Sequence, residues 1–283
     1  NADMAMYHAK KKGRNNFQFF EHSLNAAAVA RFSLEQDLKA ALANDNFTLY
    51  FQPQLTLVNE GIVGAEALIR WIHPEKGFIA PDQFIAIAED CGLIVDINRW
   101  VIENACAQAR AWKDLESMDV RIAINLSGYR LAEQDIVTTM KNSLDRFSLS
   151  GDTLEVEVTE NVLMHDTEAI AETLRGIKDL GVGVALDDFG TGYSSLSYLT
   201  TFQVDTIKID RSFVMGSSDN EKNRVIIKAI IAMGHSLGLK IVAEGVETLQ
   251  HFRFLQEYDC DECQGFYFSP PVKANDFIKL LKS

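Results

Sequence analysis

The chain has 283 residues, 47% of them hydrophobic and 24% charged, with a formal net charge of -13 at pH 7. That length fits one large domain or two small ones, and the apolar fraction is ample for a buried core. The acidic balance argues against a non-specific nucleic-acid binder, which carries a basic footprint; small anionic ligands stay open, because a bound divalent cation reverses the local sign.

Four cysteines (Cys91, Cys106, Cys260 and Cys263) are too few for a disulfide scaffold of this size and fit a reducing, cytoplasmic compartment. The Cys260–Cys263 spacing has no second pair to complete a zinc site and reads as two small strand residues. No apolar run approaches the roughly 20 residues that span a bilayer. The first residues carry no signal-peptide pattern, so no membrane contact is expected of this segment, whether or not a parent protein is anchored. The chain begins at Asn1 without a methionine, as expected of a piece of something longer.

Residues 1–20 read as one helix up to Gly13 and a short strand-like FQFF, too little to bury a core. Residues 21–46 place Leu24, Val29, Phe32, Leu34, Leu38 and Leu42 at helical spacing, with an Asn-Asp-Asn stop, which predicts a connecting helix that also covers the next domain. From Phe47 the pattern alternates. Strand-like runs are expected at 47–57, 62–72, 121–127, 153–160, 182–188, 205–210, 240–246 and 263–269. Helical patterns separate most of them, at 81–89, 95–115, 131–147, 167–180, 220–237 and 249–258. This is the pattern of an α/β protein with a TIM-type barrel of eight strands. The turn at 58–61 is too short for a crossover helix, so the first strand should run antiparallel and the barrel be a modified one. A doubly wound open sheet is the alternative.

The stretch VALDDFGTGYSSL, residues 184–196, ends a buried strand in Asp187 and Asp188 and passes into a glycine-rich loop. Other strands end in the same way. Glu66 lies in the second strand with Arg70 on the same face, and Asn125 ends the third. Glu157 and Glu160 close the fourth, Lys208 and Asp210 the sixth, Glu244 the seventh, and Gln264 stands near the start of the eighth. A lone glutamate in a strand is usually a solvated edge residue, but repetition on consecutive strands places the set at the C-terminal rim, where barrels carry their active sites. Carboxylates with one amide and one lysine suit Mg2+ or Mn2+ rather than zinc. Adjacent Asp187 and Asp188 make two ions plausible, with one carboxylate bridging ions about 4 Å apart, an arrangement that supports in-line displacement at phosphorus by a metal-bound hydroxide. Arg70 is the natural fork for a phosphate oxygen. The six histidines form no ligand spacing and read as surface or satisfied core residues. The residues by themselves leave a divalent-metal lyase, an enolase-type enzyme and a phosphodiesterase open.

The Glu66-Ala67-Leu68 tripeptide with Arg70, followed by DDFGTGYSSL, KID and AEGVE, resembles the EAL-domain family from about residue 34 to the end of the chain. The resemblance implies a cyclic di-GMP phosphodiesterase on a modified TIM barrel, releasing linear pGpG. It implies Glu66, Asn125, Glu157 and Asp187 as ligands of one Mg2+ or Mn2+, with Asp187 and Asp188 holding a second. Lys208 would orient or polarise the attacking water, Glu244 would act as base or second-metal ligand, and Gln264 would support the water and the metal site. Gln52, Leu68 and Arg70 would hold substrate, and Glu160 would anchor the loop after Asp188. No position of this set departs from the family pattern, which disfavours the alternative of a cyclic di-GMP receptor that binds without cleaving. Residues 1–20 resemble the end of a GGDEF (diguanylate cyclase) domain whose active-site motif is absent. The implied organisation is a GGDEF remnant at 1–20, a linker helix at 21–33 and an EAL domain at 34–283, within a parent carrying upstream GGDEF and sensor domains. A homodimer, formed around the loop and its following helix, is also implied, with the loop at 191–195 coupling the interface to the metals; no nucleic-acid polymer is expected as partner.

Overall fold

The structure, a computed structural model, describes residues 22–282 except 45, 117–118, 129–130, 132–134, 161, 163–166, 193–198, 200–201 and 219. The expected GGDEF remnant at 1–20 therefore lies outside the described residues, as does most of the loop after Gly192. In chain order, the elements begin with α1 (His22–Ala43), β1 (Phe47–Thr56), β2 (Ile62–His73), β3 (Gly77–Ile79), α2 (Pro81–Cys91) and α3 (Ile94–Glu116). Next come β4 (Arg121–Asn125), α4 (Ile136–Phe147), β5 (Leu154–Thr159), α5 (Thr167–Asp179), β6 (Gly183–Phe189) and β7 (Thr206–Ile209). The chain closes with α6 (Arg211–Met215), α7 (Glu221–Ser236), β8 (Lys240–Ala243), α8 (Leu249–Glu257), β9 (Glu262–Cys263), β10 (Val272–Lys273) and α9 (Ala274–Leu281).

Two compact units are formed: the described residues up to Thr48 with Arg70–Ile94, and Leu49–Ile69 with the described residues from Val95 onward. In the smaller unit, α1 packs on α2, with Leu38 and Ala41 buried. Phe47, Trp71 and Phe84 form its aromatic centre, with ring centroids 5.5 to 5.9 Å apart. Pro81 opens α2, where its missing N–H costs nothing, and Gly92 ends it in the left-handed conformation.

The larger unit is the barrel. Strand order is β10-β1-β9-β8-β7-β6-β5-β4-β2-β3 with an additional β1–β2 pairing, so every strand but β3 and β10 belongs to a closed ring of eight. Pairing is parallel from β2 through β4 to β9. Only β1 runs against its neighbour β9, because a turn of a few residues, closed by Thr56 N–H to Gly61 O at 3.0 Å, cannot carry the chain back across the barrel. The closure excludes the open-sheet alternative.

Buried parallel strands usually read as continuous apolar runs, yet these alternate. In β5 the apolar Leu154, Val156 and Val158 occupy one face and Glu155 and Glu157 the other, and all five are buried. The apolar face, with Ile122, Ile124, Ile207 and Ile241 from neighbouring strands, meets the helical layer; α5 packs on β6 and α7 on β7 and β8. The polar face fills the barrel interior. That inversion positions the site.

Three expectations need correction. The strand expected at 263–269 is only Glu262–Cys263, after which the chain turns, so Gln264 stands at the C-terminal end of its strand and not near the start. The physical reason is crowding: a Cβ on Gly265 would lie 2.0 Å from the Val246 carbonyl oxygen, an approach that allows no extended, side-chain-bearing continuation. The helix expected from 131 begins at Ile136, and β3, β10, α6 and α9 were not expected at all. The last helix is anchored by Phe277, which stacks on Trp112 of α3 at 4.9 Å; Phe51 of β1 meets the same indole at 4.8 Å. Full burial of such a ring contributes about 1.5–3 kcal/mol. The four cysteines are free thiols, with Cys106, Cys260 and Cys263 buried.

Candidate active site

Period-2 alternation decides which side chains reach the barrel interior. Glu66 on β2, Glu157 on β5, Asp187 on β6 and Lys208 on β7 all face inward, and Glu244 follows β8 directly. They converge on the Lys208 ammonium, whose side chain is 1% exposed. Its Nζ lies 2.6 Å from Glu244 Oε1, 2.8 Å from Glu157 Oε2, 3.4 Å from Asp187 Oδ1 and 3.9 Å from Glu66 Oε2. A second set of contacts orients Glu66. Asn125, at the end of β4, donates its amide to Oε1 at 2.6 Å, and Gln264 donates to Oε2. Gln264 also donates to Gln52 Oε1 at 3.0 Å, and Gln52 in turn donates to the Ser269 carbonyl at 3.1 Å. Backbone bonds fix Gln264 in place: its N–H donates to Ala243 O at 2.9 Å and its carbonyl accepts from Val246 N–H at 3.0 Å.

Neighbouring residues on a strand point to opposite faces, so Asp187 and Asp188 should diverge. They do not, for two local reasons. The β6–β7 register shifts between Leu186 and Phe189, an irregularity of the kind that re-aims a side chain beside an active site. Asp188 itself adopts a left-handed backbone, with φ of 55°, uncommon for a non-glycine residue and tolerated best by Asp and Asn. Asp187 Oδ1 accepts the Asp188 N–H at 3.0 Å. As a result Asp187, Asp188 and Glu244 each offer a carboxylate oxygen, all within 4.8 Å of one another.

The electrostatics are strained. Burial and the surrounding carboxylates push Glu157 well above the usual carboxylate range. Burial, opposed by Lys208, raises Glu244 to about 8. Burial and its neighbours Asp187 and Asp210 also raise Asp188. Burial works against the Lys208 ammonium, yet Glu157, Glu244, Glu66 and Asp187 together hold its pKa well above normal. Glu66 alone is lowered, since Lys208, Gln264 and Asn125 outweigh its burial. Fully ionised, the four carboxylates around one ammonium would leave three negative charges uncompensated, and without a cation burial keeps protons on Glu157 and Glu244 instead. A buried excess of this kind is costly unless a cation neutralises it. The donor set, all oxygen apart from Lys208, fits a hard divalent ion.

The remaining expected residues are placed as follows. Leu68 is half-buried two residues beyond Glu66 on β2, and Arg70, also half-buried, continues the same strand. Glu160 is buried just past β5, and its carboxylate lies 3.2–3.3 Å from where a Cβ on Gly192 would sit, directly against the loop it was expected to anchor. The loop residues 193–198 lie outside the described residues. Among the described histidines, His235 pairs with Asp261 at 3.0 Å and His73 with Asp37 at 3.4 Å. Two residues next to the site had no assigned role. Asp210 caps α6 by accepting the Ser212 N–H at 3.0 Å, and with Arg211 it acts electrostatically on Asp188. Their signal was their position just past the end of β7, two and three residues after Lys208.

Comparison with known proteins agrees with this geometry. The family model described as EAL domain matches residues 35–271. The chain is 44% identical over 278 residues, 98% of its length, to the bifunctional diguanylate cyclase/cyclic di-GMP phosphodiesterase MucR of Pseudomonas aeruginosa, and covers 41% of that protein. It is 38% identical over 281 residues, 99% of its length, to the cyclic di-GMP phosphodiesterase PdeR of Escherichia coli, covering 42% of it. The chain thus spans about two fifths of the length of these curated relatives. Among solved structures, the PaMucR phosphodiesterase in a c-di-GMP complex superposes with a TM-score of 0.83 at 42% identity, covering 87% of this chain and 99% of that one. The EAL domain of Mycobacterium smegmatis DcpA superposes with a TM-score of 0.70 at 33% identity, covering 84% and 97%.

Proposed function

The chain belongs to the EAL-domain family, and from that premise we propose that it is a divalent-metal-dependent phosphodiesterase that hydrolyses cyclic di-GMP to linear pGpG. The observation that carries this reading is the rim cluster itself, four carboxylates drawn around Lys208 with Asp188 turned in to join them. Glu66, Asn125, Glu157 and Asp187 are assigned to one Mg2+ or Mn2+ ion, and Asp187, Asp188 and Glu244 to a second. Bound there, the ions would supply Lewis acidity toward a phosphate oxygen and acidify the attacking water.

The chain's own residues do the rest. The Lys208 ammonium, held over Glu157 and Glu244, orients and polarises the water. Glu244, 2.6 Å from Lys208, would accept the water's proton in its charged form. The water oxygen bonds to phosphorus as the bond to the 3′-oxygen breaks in line with it. Gln264 keeps Glu66 and the water in register through its bonds to Glu66 and Gln52. Gln52, Leu68 and Arg70 are assigned to substrate, and Glu160 to the loop after Asp188.

We further assign residues 1–20 to the end of a GGDEF domain, 21–33 to a linker helix and 34–283 to the EAL domain, in a parent with upstream sensing. A cytoplasmic placement fits the four free thiols, and among the described residues no helix is long and apolar enough to cross a membrane. A homodimer formed around the loop and the helix after it would couple self-association to the metals. Activity per chain that stays constant on dilution from dimer to monomer would sink that coupling.

Incubating the purified chain with cyclic di-GMP and Mg2+ or Mn2+, with and without EDTA, tests the activity by chromatography. The expected result is pGpG only when metal is present. Binding in EDTA with no product in metal would instead make the chain a receptor.

A further inference from the structure

A second polar layer closes the opposite, N-terminal end of the barrel interior. Arg121, at the first position of β4, reaches Glu262 Oε2 at 2.6 Å and Gln54 Oε1 at 3.0 Å through Nη2, and Glu155 Oε2 at 3.2 Å through Nε. The other Glu155 oxygen accepts from Thr206 Oγ1 at 2.7 Å, and the other Glu262 oxygen pairs with Lys240 at 3.0 Å. Space for the guanidinium comes from Gly64: a Cβ there would lie 2.8 Å from Gln54 Oε1 and 3.3 Å from Arg121 Nη2.

The strands that carry this layer are those that carry the rim. Glu155, Thr206 and Glu262 stand two residues before Glu157, Lys208 and Gln264. Arg121 and Lys240 stand four before Asn125 and Glu244. On antiparallel β1, Gln54 stands two after Gln52. Every such pair shares a strand face. A one-residue slip of any of these six strands would turn its rim residue out of the barrel, and it would also break that strand's contact in the base layer.

We infer that Arg121 is a positioning residue for the active site: with Glu155 and Glu262 it ties six strands (β1, β4, β5, β7, β8 and β9) together from below, and so sets the spacing of Asn125, Glu157, Lys208, Glu244 and Gln264 above them. The inference rests on the proposed metal-dependent site. Arg121 touches neither substrate nor metal. Its guanidinium meets partners on three other strands at once, donating to Glu262 and Gln54 through Nη2 and pairing in charge with Glu155, which a lysine cannot reproduce.

The test uses the full chain with Arg121→Lys, which keeps the charge and loses the fork, and the triple variant Arg121→Met, Glu155→Gln, Glu262→Gln, which removes the buried charges and leaves Lys240 to solvent. Phe277→Leu, in the aromatic cluster with Trp112, is the control for lost stability alone. Mn2+ binding is read directly by electron paramagnetic resonance, alongside melting temperature and the kcat and KM for cyclic di-GMP. Both base variants are expected to fold and to bind Mn2+ about 10- to 100-fold more weakly, with kcat falling and KM near that of the unaltered chain. Phe277→Leu should melt earlier with Mn2+ affinity unchanged. If the base variants lose melting temperature but keep Mn2+ affinity and kcat, the layer is only structural and the inference is overturned. An unaltered chain that binds Mn2+ yet releases no pGpG would defeat the proposed hydrolysis instead, leaving the binding comparison to decide the role of Arg121.

Discussion

The two ends of the barrel interior hold similar side chains in opposite states of balance. At the base, Arg121 and Lys240 face Glu155 and Glu262, two charges against two, and the carboxylate oxygens have partners. At the rim, Lys208 alone faces Glu66, Glu157, Asp187 and Glu244. The carboxylates of both clusters are largely buried, so their burial does not separate the two ends. Residual charge does: a cluster that closes its own charge staples the fold, whereas one that leaves charge over awaits a cation.

The largest effect that would test this contrast lies at the rim. Asp187→Asn should lower pGpG release by on the order of 10³-fold with the fold intact, as judged by circular dichroism and chromatography. Near-normal release would remove Asp187 from the site. At the base, Arg121→Met alone leaves Glu155 and Glu262 without their shared cation and should destabilise the chain by about 3–5 kcal/mol in urea unfolding.

Smaller changes should differ in sign between the two ends. In EDTA, Glu262→Gln should lower the melting temperature, by about 1–3 kcal/mol in stability. Glu244→Gln should raise it, because the burial and the repulsion from Asp187 and Glu66 that it relieves outweigh the Lys208 contact it weakens. Equal signs would erase the distinction.

The smallest effect concerns pH. Glu157 and Glu244 have folded pKa values above the ordinary 4.5, with Glu244 at about 8. The native state therefore binds protons that the unfolded chain has released. The stability they contribute is fully present below about pH 4.5 and is lost as pH rises toward about 8. Metal-free protein should accordingly melt at falling temperature across that window, and saturating Mg2+ should oppose the fall by favouring the charged carboxylates. A flat profile in EDTA would contradict the raised values.

The rim was legible in the sequence because its residues interrupt apolar runs within strands or at their ends. Glu66, Glu157, Asp187 and Lys208 stood out for that reason, and so did the short turn at 58–61 that made β1 antiparallel. The base layer went unread. Glu155, Thr206 and Glu262 lie at strand starts, where a polar residue looks like an ordinary boundary, and their partners are 141 residues apart in the case of Arg121 and Glu262. The aromatic stretch after Gln264 has strand propensity, but the register with β1 and β8 covers only Glu262 and Cys263, before that stretch begins. The final helix is too short for its apolar period to stand out, and Phe277 earns its place only through contact with Trp112.

By itself the sequence determined the inventory of the site and its order along the strands, since alternation and strand ends are local properties of a chain. Tertiary structure alone decided which of those groups share one volume. Asp188 joins Asp187 because a register shift and a left-handed backbone turn its carboxylate inward. Glu66 and Glu244 meet at Lys208 because the ring closes through β1. Charge balance, which separates the rim from the base, exists only after that closure, because it sums groups that no local pattern connects.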